Sequence, residues 1–147
     1  MTKMTASLRR WVIQRANNRC EYCGISQIGQ VATFHIDHVI PVVAGGETTA
    51  ENLALACVSC SLRKGARQKI EDAETGEVVY IFNPRQQRWN AHFAWNGVEM
   101  IGFTATGRAT VQALDLNRST MLTIRAEEEL RGRHPPPEDI NPVDPNL

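Results

Sequence analysis

Apolar residues in the opening stretch Ser7 to Asn18 (SLRRWVIQRANN) fall at Leu8, Trp11, Val12 and Ala16, the i, i+3, i+4, i+8 spacing of one helical face. The pattern predicts a short amphipathic helix with Ser7 as its N-cap, and Arg9, Arg10 and Arg15 read as its solvated face, with phosphate contacts as the alternative if a site beside them binds DNA. The periodicity then changes. Val31 to Val43 is apolar and partly β-branched, with Pro41 confining it to an edge or a strand end, and Leu53 to Ala56 is a second short apolar run. Gly45-Gly46 and the polar residues through Glu51 form the loop between them, so the two runs predict a hairpin, followed by a helix from about Ser61 to Lys69.

Farther along, strands are expected around Val78 to Phe82 and around Phe93 to Phe103, the latter broken by the turn signal Asn96-Gly97. Helices follow near Arg108 to Leu116 and Thr120 to Arg131. From His134 onward Pro135, Pro136, Pro137, Pro142 and Pro145 alternate with acidic residues, too little apolar surface to offset the entropy of ordering. The organisation expected is a core over residues 1–75, an α+β extension over 76–133 packing on it, and a disordered proline-rich acidic tail over 134–147.

The 147 residues suit one domain plus a tail. No run approaches the 18 apolar residues of a membrane span, and the start MTKMTASLRRW lacks a signal peptide's apolar core, so a reduced, cytoplasmic protein with no membrane partner is expected. That compartment changes how the four cysteines read. In a reducing cytosol, paired Cys-x-x-Cys motifs point to metal ligands or redox groups before disulfides. Redox pairs normally sit beside a βαβ pattern, which is missing, so Cys20, Cys23, Cys57 and Cys60 are the candidate ligands of one tetrahedral Zn²⁺. Four sulfurs leave no open coordination position, which makes the zinc structural. The 33 residues between Cys23 and Cys57 exceed the gap of about 15–20 in a zinc ribbon, so the span must hold structure of its own.

Net charge is zero, with 16 basic and 16 acidic residues, and gives no hint of a polyanionic partner. Its distribution does. Met1 to Ile70 carries nine Lys or Arg against four Asp or Glu, whereas the remainder carries seven against twelve, so the cysteine-bearing half is the basic one.

Between the knuckles lies Phe34-His35-Ile36-Asp37-His38-Val39-Ile40-Pro41, then Gly45-Gly46, then Glu51-Asn52-Leu53, then Cys57-Val-Ser-Cys60-Ser61-Leu-Arg63-Lys64. Together these resemble the Cys-x-x-Cys-flanked branch of the HNH endonuclease family, over Cys20 to about Arg67. The segment Phe82 to about Arg118 also resembles an extension common after this motif in bacterial members. The resemblance implies an α+β fold: a small ββα-metal core on a four-cysteine zinc site, with an N-terminal helix and a C-terminal β-hairpin plus helices. It also implies a metal-dependent nuclease hydrolysing phosphodiesters, with DNA as partner and Mg²⁺ or Mn²⁺ as catalytic cofactor beside the structural zinc.

Residue by residue, His38 matches the family's general base, since an imidazole can take the proton of an attacking water near neutral pH. Asp37 matches the metal ligand, whose hard dication neutralises charge on the leaving 3′ oxygen and the phosphoryl oxygens. Asn52 matches the middle Asn that ties the Gly-Gly loop across the hairpin. Ser61 falls where the family usually has Asn or His as a second ligand, and a serine is a poorer one. His35 shares a strand face with Asp37 and is a possible auxiliary ligand, though a packed, hydrogen-bonded histidine is the plainer reading. Arg63, Lys64 and Arg67 are candidate contacts to the nucleic-acid backbone, with a solvated helix face as the alternative.

Ser61 and the neutral overall charge also motivate a competing reading: a catalytically weak or lapsed zinc module that binds nucleic acid or protein. Trp89, His92, Phe93 and Trp95 read as core rather than a base-stacking platform, and Glu127, Glu128 and Glu129 as solvated surface. No reading module for sequence recognition is evident, so any specificity is expected from a protein partner, and cutting both strands with one active site would favour a homodimer or sequential nicking.

Overall fold

The computed structural model describes residues 3–137. Its first helix, α1 (Ala6–Arg15), begins one residue before the expected Ser7 cap, because Thr5 takes that role: its Oγ1 accepts the Leu8 amide at 3.1 Å. Val12 and Ala16 are fully buried on the predicted face, while Trp11 is 42% exposed. Arg15 is not solvated as expected. Its guanidinium donates to the carbonyls of Ala50 (2.8 Å) and Leu53 (2.7 Å), fastening the helix to the residues that start the second strand.

Strands β1 (His35–His38) and β2 (Leu53–Ala56) form an antiparallel hairpin, with His35 opposite Ala56 and His38 opposite Leu53. All four β2 residues are buried, which is why this strand reads as a continuous apolar run rather than an alternation. Helix α2 (Val58–Lys64) starts three residues before the expected Ser61, because Cys57 caps it by accepting the Cys60 amide on Sγ. It ends at Gly65, in a positive-φ conformation (φ 53°) that favours glycine. Residues 65–69 therefore lie beyond the helix expected to include them, and Lys69 opens strand β3 (Lys69–Glu71), paired with β4 (Val78–Tyr80).

A third hairpin, β5 (Phe93–Asn96) and β6 (Glu99–Gly102), turns at Gly97 (φ 63°). Helix α3 (Ala105–Ala113) packs against it so closely that a Cβ on Gly102 would lie 2.3 Å from the Gly107 carbonyl carbon. Helix α4 (Ser119–Leu130) follows. Four α-helices and three separate two-stranded sheets make the described residues α+β. No helix among them is long and apolar enough to cross a membrane.

Apolar and polar contacts join the cysteine-bearing half to the residues after 76. Phe82 is fully buried, edge-on to Tyr22 (centroids 6.5 Å apart) and Phe93 (5.2 Å), and Trp89 Nε1 donates to the Tyr22 carbonyl at 3.2 Å. Glu21 is buried against Arg85 and also accepts the Leu55 amide at 2.9 Å. Burial pushes the Glu21 carboxyl up from the ordinary range, opposed by Arg85, while burial and then Arg85 bring nearby Arg15 down to about 10. Trp89 and Phe93 are core, and Trp95 stacks on Trp89 at 5.2 Å. Glu128 departs from the solvated run expected: it is buried and binds Arg133 at 2.6 Å.

The tail expected to be disordered from His134 is anchored at its start. His134 is buried, edge-on to Trp95 at 4.7 Å, with Nε2 donating to the Gly97 carbonyl at 2.9 Å. The rest of that expectation, residues 138–147, lies outside the described residues.

Candidate metal centre and active-site pocket

The two knuckles repeat one local device. The Cys23 amide donates to Cys20 Sγ and the Cys60 amide to Cys57 Sγ, each at 3.4 Å, so each loop or helix start turns its pair of sulfurs the same way. Gly24 (φ 79°) closes the first knuckle, and the N-terminal turn of α2 forms the second. All four cysteines are buried and their sulfurs lie within 4.8 Å of one another, with Cys23 and Cys57 at 3.7 Å. A tetrahedral ion with Zn–S near 2.3 Å has an S···S edge of roughly 3.8 Å, so the spacing fits one such ion. The donor chemistry fits as well. Hydrogen bonding among the sulfurs drives the Cys23 and Cys60 thiols up and Cys57 down, and a dication held by the sulfurs would favour their thiolate forms. Among the described residues, this is the one group of three or more Cys, His, Asp or Glu side chains placed to hold a metal.

Beside the cluster, β1 and the end of α2 border an open cavity of about 680 Å³ lined by His35, Asp37, His38 and Ser61, with Arg9 and Met4 from the N-terminal segment. Adjacent strand residues ordinarily face opposite ways. Asp37 and His38 nevertheless line one cavity, since β1 ends at His38. His35 Nδ1 is 2.9 Å from Ser61 Oγ across the strand–helix gap. Asp37 is almost buried. Its Oδ2 accepts from Tyr22 Oη at 3.0 Å and pairs with Lys64 Nζ at 3.2 Å. Burial raises the Asp37 carboxyl above the usual range, and the Lys64 ammonium and Tyr22 hydroxyl pull against it; burial and the Asp37 charge together push the Tyr22 phenol well up.

His38 Nε2 meets Thr48 Oγ1 at 2.9 Å. Thr48 belongs to the loop after Gly45-Gly46, and that loop is held by Asn52. The Asn52 amide accepts the Ile40 N–H at 2.9 Å and donates to the carbonyls of Ile40 (3.0 Å) and Glu47 (2.9 Å), spanning the base of the loop. Gly46 sits so tightly in this bracket that a Cβ there would be 1.8 Å from the Ile40 carbonyl oxygen.

Residues 20–67 match the family model for HNH endonuclease. That match spans about a third of the chain and contains the four cysteines, His35, Asp37, His38, Asn52 and Ser61. No curated protein and no solved structure matches the chain.

Within the HNH segment, the three cations expected to meet a nucleic-acid backbone are placed otherwise. Lys64 is wholly buried, its ammonium spent on Asp37 and on the His38 carbonyl at 3.0 Å, so it cannot reach a phosphate in solution. Arg67 donates to the Arg63 and Ala113 carbonyls, and Arg63 pairs with Asp115 at 3.7 Å. Both are exposed and line no part of the cavity. Among the described residues lining the cavity, the one Arg or Lys is Arg9, whose nearest hydrogen-bond partner is the Phe34 carbonyl at 3.5 Å. Sequence reasoning passed over Tyr22 and Thr48 as site residues and preferred a solvated face to a phosphate contact for Arg9. Of the two passed over, Tyr22 carried a signal: its position inside the first knuckle, between two inward-turned cysteines.

Proposed function

We propose that the cavity hydrolyses phosphodiester bonds of DNA with Mg²⁺ or Mn²⁺ as cofactor, while zinc held by Cys20, Cys23, Cys57 and Cys60 maintains the fold. The observation that carries the reading is that His35, Asp37, His38 and Ser61 border one open cavity inside the HNH-matching segment. His38 is the general base. With Nε2 engaged by Thr48, Nδ1 is the nitrogen left to take a proton from the attacking water. Asp37 would hold the catalytic cation through Oδ1, its other oxygen being shared by Tyr22 and Lys64, with Ser61 and His35 as further donors. The dication, when bound, neutralises the charge that builds on the phosphoryl and leaving oxygens. A single carboxylate plus neutral donors suits Mg²⁺, which keeps several waters. Arg9 offers its guanidinium to a substrate phosphate at the cavity rim.

A second reading has its own observation. The Ser61 hydroxyl and one Asp37 oxygen already serve protein partners, as they would in a lapsed enzyme that only binds nucleic acid or protein. The test is to incubate zinc-loaded protein with supercoiled plasmid, single-stranded DNA and RNA, with Mg²⁺ or Mn²⁺ and with the cation omitted rather than chelated. Cation-dependent nicking or cutting of DNA supports the nuclease; salt-sensitive binding with no cleavage under any cation favours the lapsed module.

A further inference from the structure

Lys64 occupies a place that a surface helix lysine does not. It is the last residue of α2, it is 0% exposed, and its ammonium contacts two consecutive residues of β1 at once: the carboxylate of Asp37 (3.2 Å) and the backbone carbonyl of His38 (3.0 Å). Burying an ammonium is costly unless charge and hydrogen bonds compensate it, so the contact is a built feature of the fold. We infer that Lys64 is a positioning residue for the Asp37–His38 strand end. Resting on the nuclease reading for its purpose, this assigns the buried cation to geometry rather than to substrate.

The logic follows from the oxygens. Tyr22 Oη and Lys64 Nζ both engage Oδ2, which fixes the carboxylate plane and leaves Oδ1 as the oxygen available to a cation. The same Nζ ties the His38 main chain to the helix, so carboxylate and imidazole keep one relative placement at the end of β1. Orienting groups behind metal ligands typically matter by roughly 10–100-fold in metal affinity or activity.

The test uses the zinc-loaded full chain and reads Mn²⁺ binding by electron paramagnetic resonance, without substrate, alongside cleavage. Lys64→Met keeps the stem and removes the ammonium. It is expected to weaken Mn²⁺ binding roughly 10–100-fold and to lower kcat while leaving DNA affinity within about twofold. Lys64→Arg keeps the charge and tolerates burial, but its larger planar fork meets the two acceptors at other positions and angles than an ammonium; an intermediate weakening is expected, and it serves if the methionine variant does not fold. A residue that merely stabilised the fold would change Tm and the active fraction without moving Mn²⁺ affinity per folded molecule. Unchanged or tighter Mn²⁺ binding in the folded variants overturns the inference, as does a loss confined to DNA affinity. Should wild type bind Mn²⁺ in an Asp37-dependent way yet cleave nothing, the nuclease reading fails while the binding series still decides the role of Lys64.

Discussion

Replacing Asn52 probes the bracket on which His38 depends. The side chain is 8% exposed and makes three hydrogen bonds of 2.9 to 3.0 Å to backbone groups of Ile40 and Glu47. Asn52→Ala orphans one N–H and removes the donor to two carbonyls. At about 1 kcal/mol per bond, the loss is about 2–4 kcal/mol. For a chain of this size each kcal/mol lowers Tm by about 2–4 °C, giving a fall of about 5–15 °C. Asn52→Asp should cost at least as much, because it turns the donating nitrogen into an oxygen facing two carbonyl oxygens. The assay is thermal unfolding of zinc-loaded protein, with amide exchange at Ile40 as the local probe. Since Thr48 rides on the same loop, kcat should fall as well while zinc content stays full. An Asn52→Asp variant with wild-type Tm and wild-type Ile40 protection would refute the claim that this amide holds the loop.

Other outcomes follow from the same geometry. Cys57→Ser, or prolonged chelation, should unfold or aggregate the protein, because that sulfur belongs to the four-cysteine cluster and also caps α2; a well-folded zinc-free variant by circular dichroism and metal analysis would refute the structural-zinc proposal. Arg85→Met leaves the Glu21 carboxylate buried without its cation and should cost about 3–5 kcal/mol in denaturant unfolding, with the loss largely restored in the double variant that adds Glu21→Gln. Ser61→Asn lengthens the donor beside His35 and should lower the Mn²⁺ concentration giving half-maximal cleavage; no change in either direction would mean that position 61 is outside the cation site.

What the sequence disclosed divides along physical lines. Strand β2 is where its apolar run indicated, since full burial leaves a composition signal. The hairpin turn at Asn96-Gly97 is also local chemistry. The boundary of α2 shifted because a cysteine acts as its cap, a role that its reading as a metal ligand did not suggest. Strand β3 is three residues long and exists through pairing with β4, which no local pattern announces. The charged residues were least legible. Arg15 and Lys64 have the composition of a solvated face, and only partners 26 to 38 positions away make them interior groups. At the site, the residue types and their spacing were readable between the knuckles, but which oxygen of Asp37 stays available, and that Thr48 holds His38, depend on contacts made only after folding.

The most direct measurement is plasmid cleavage by zinc-loaded wild type and His38→Ala in parallel, with Mn²⁺ present, after both are shown to be folded with equal zinc content. Wild type should nick supercoiled DNA and the alanine variant should lose the activity by about 100-fold or more, the scale of a removed general base. Equal cleavage by the two folded proteins would contradict the account.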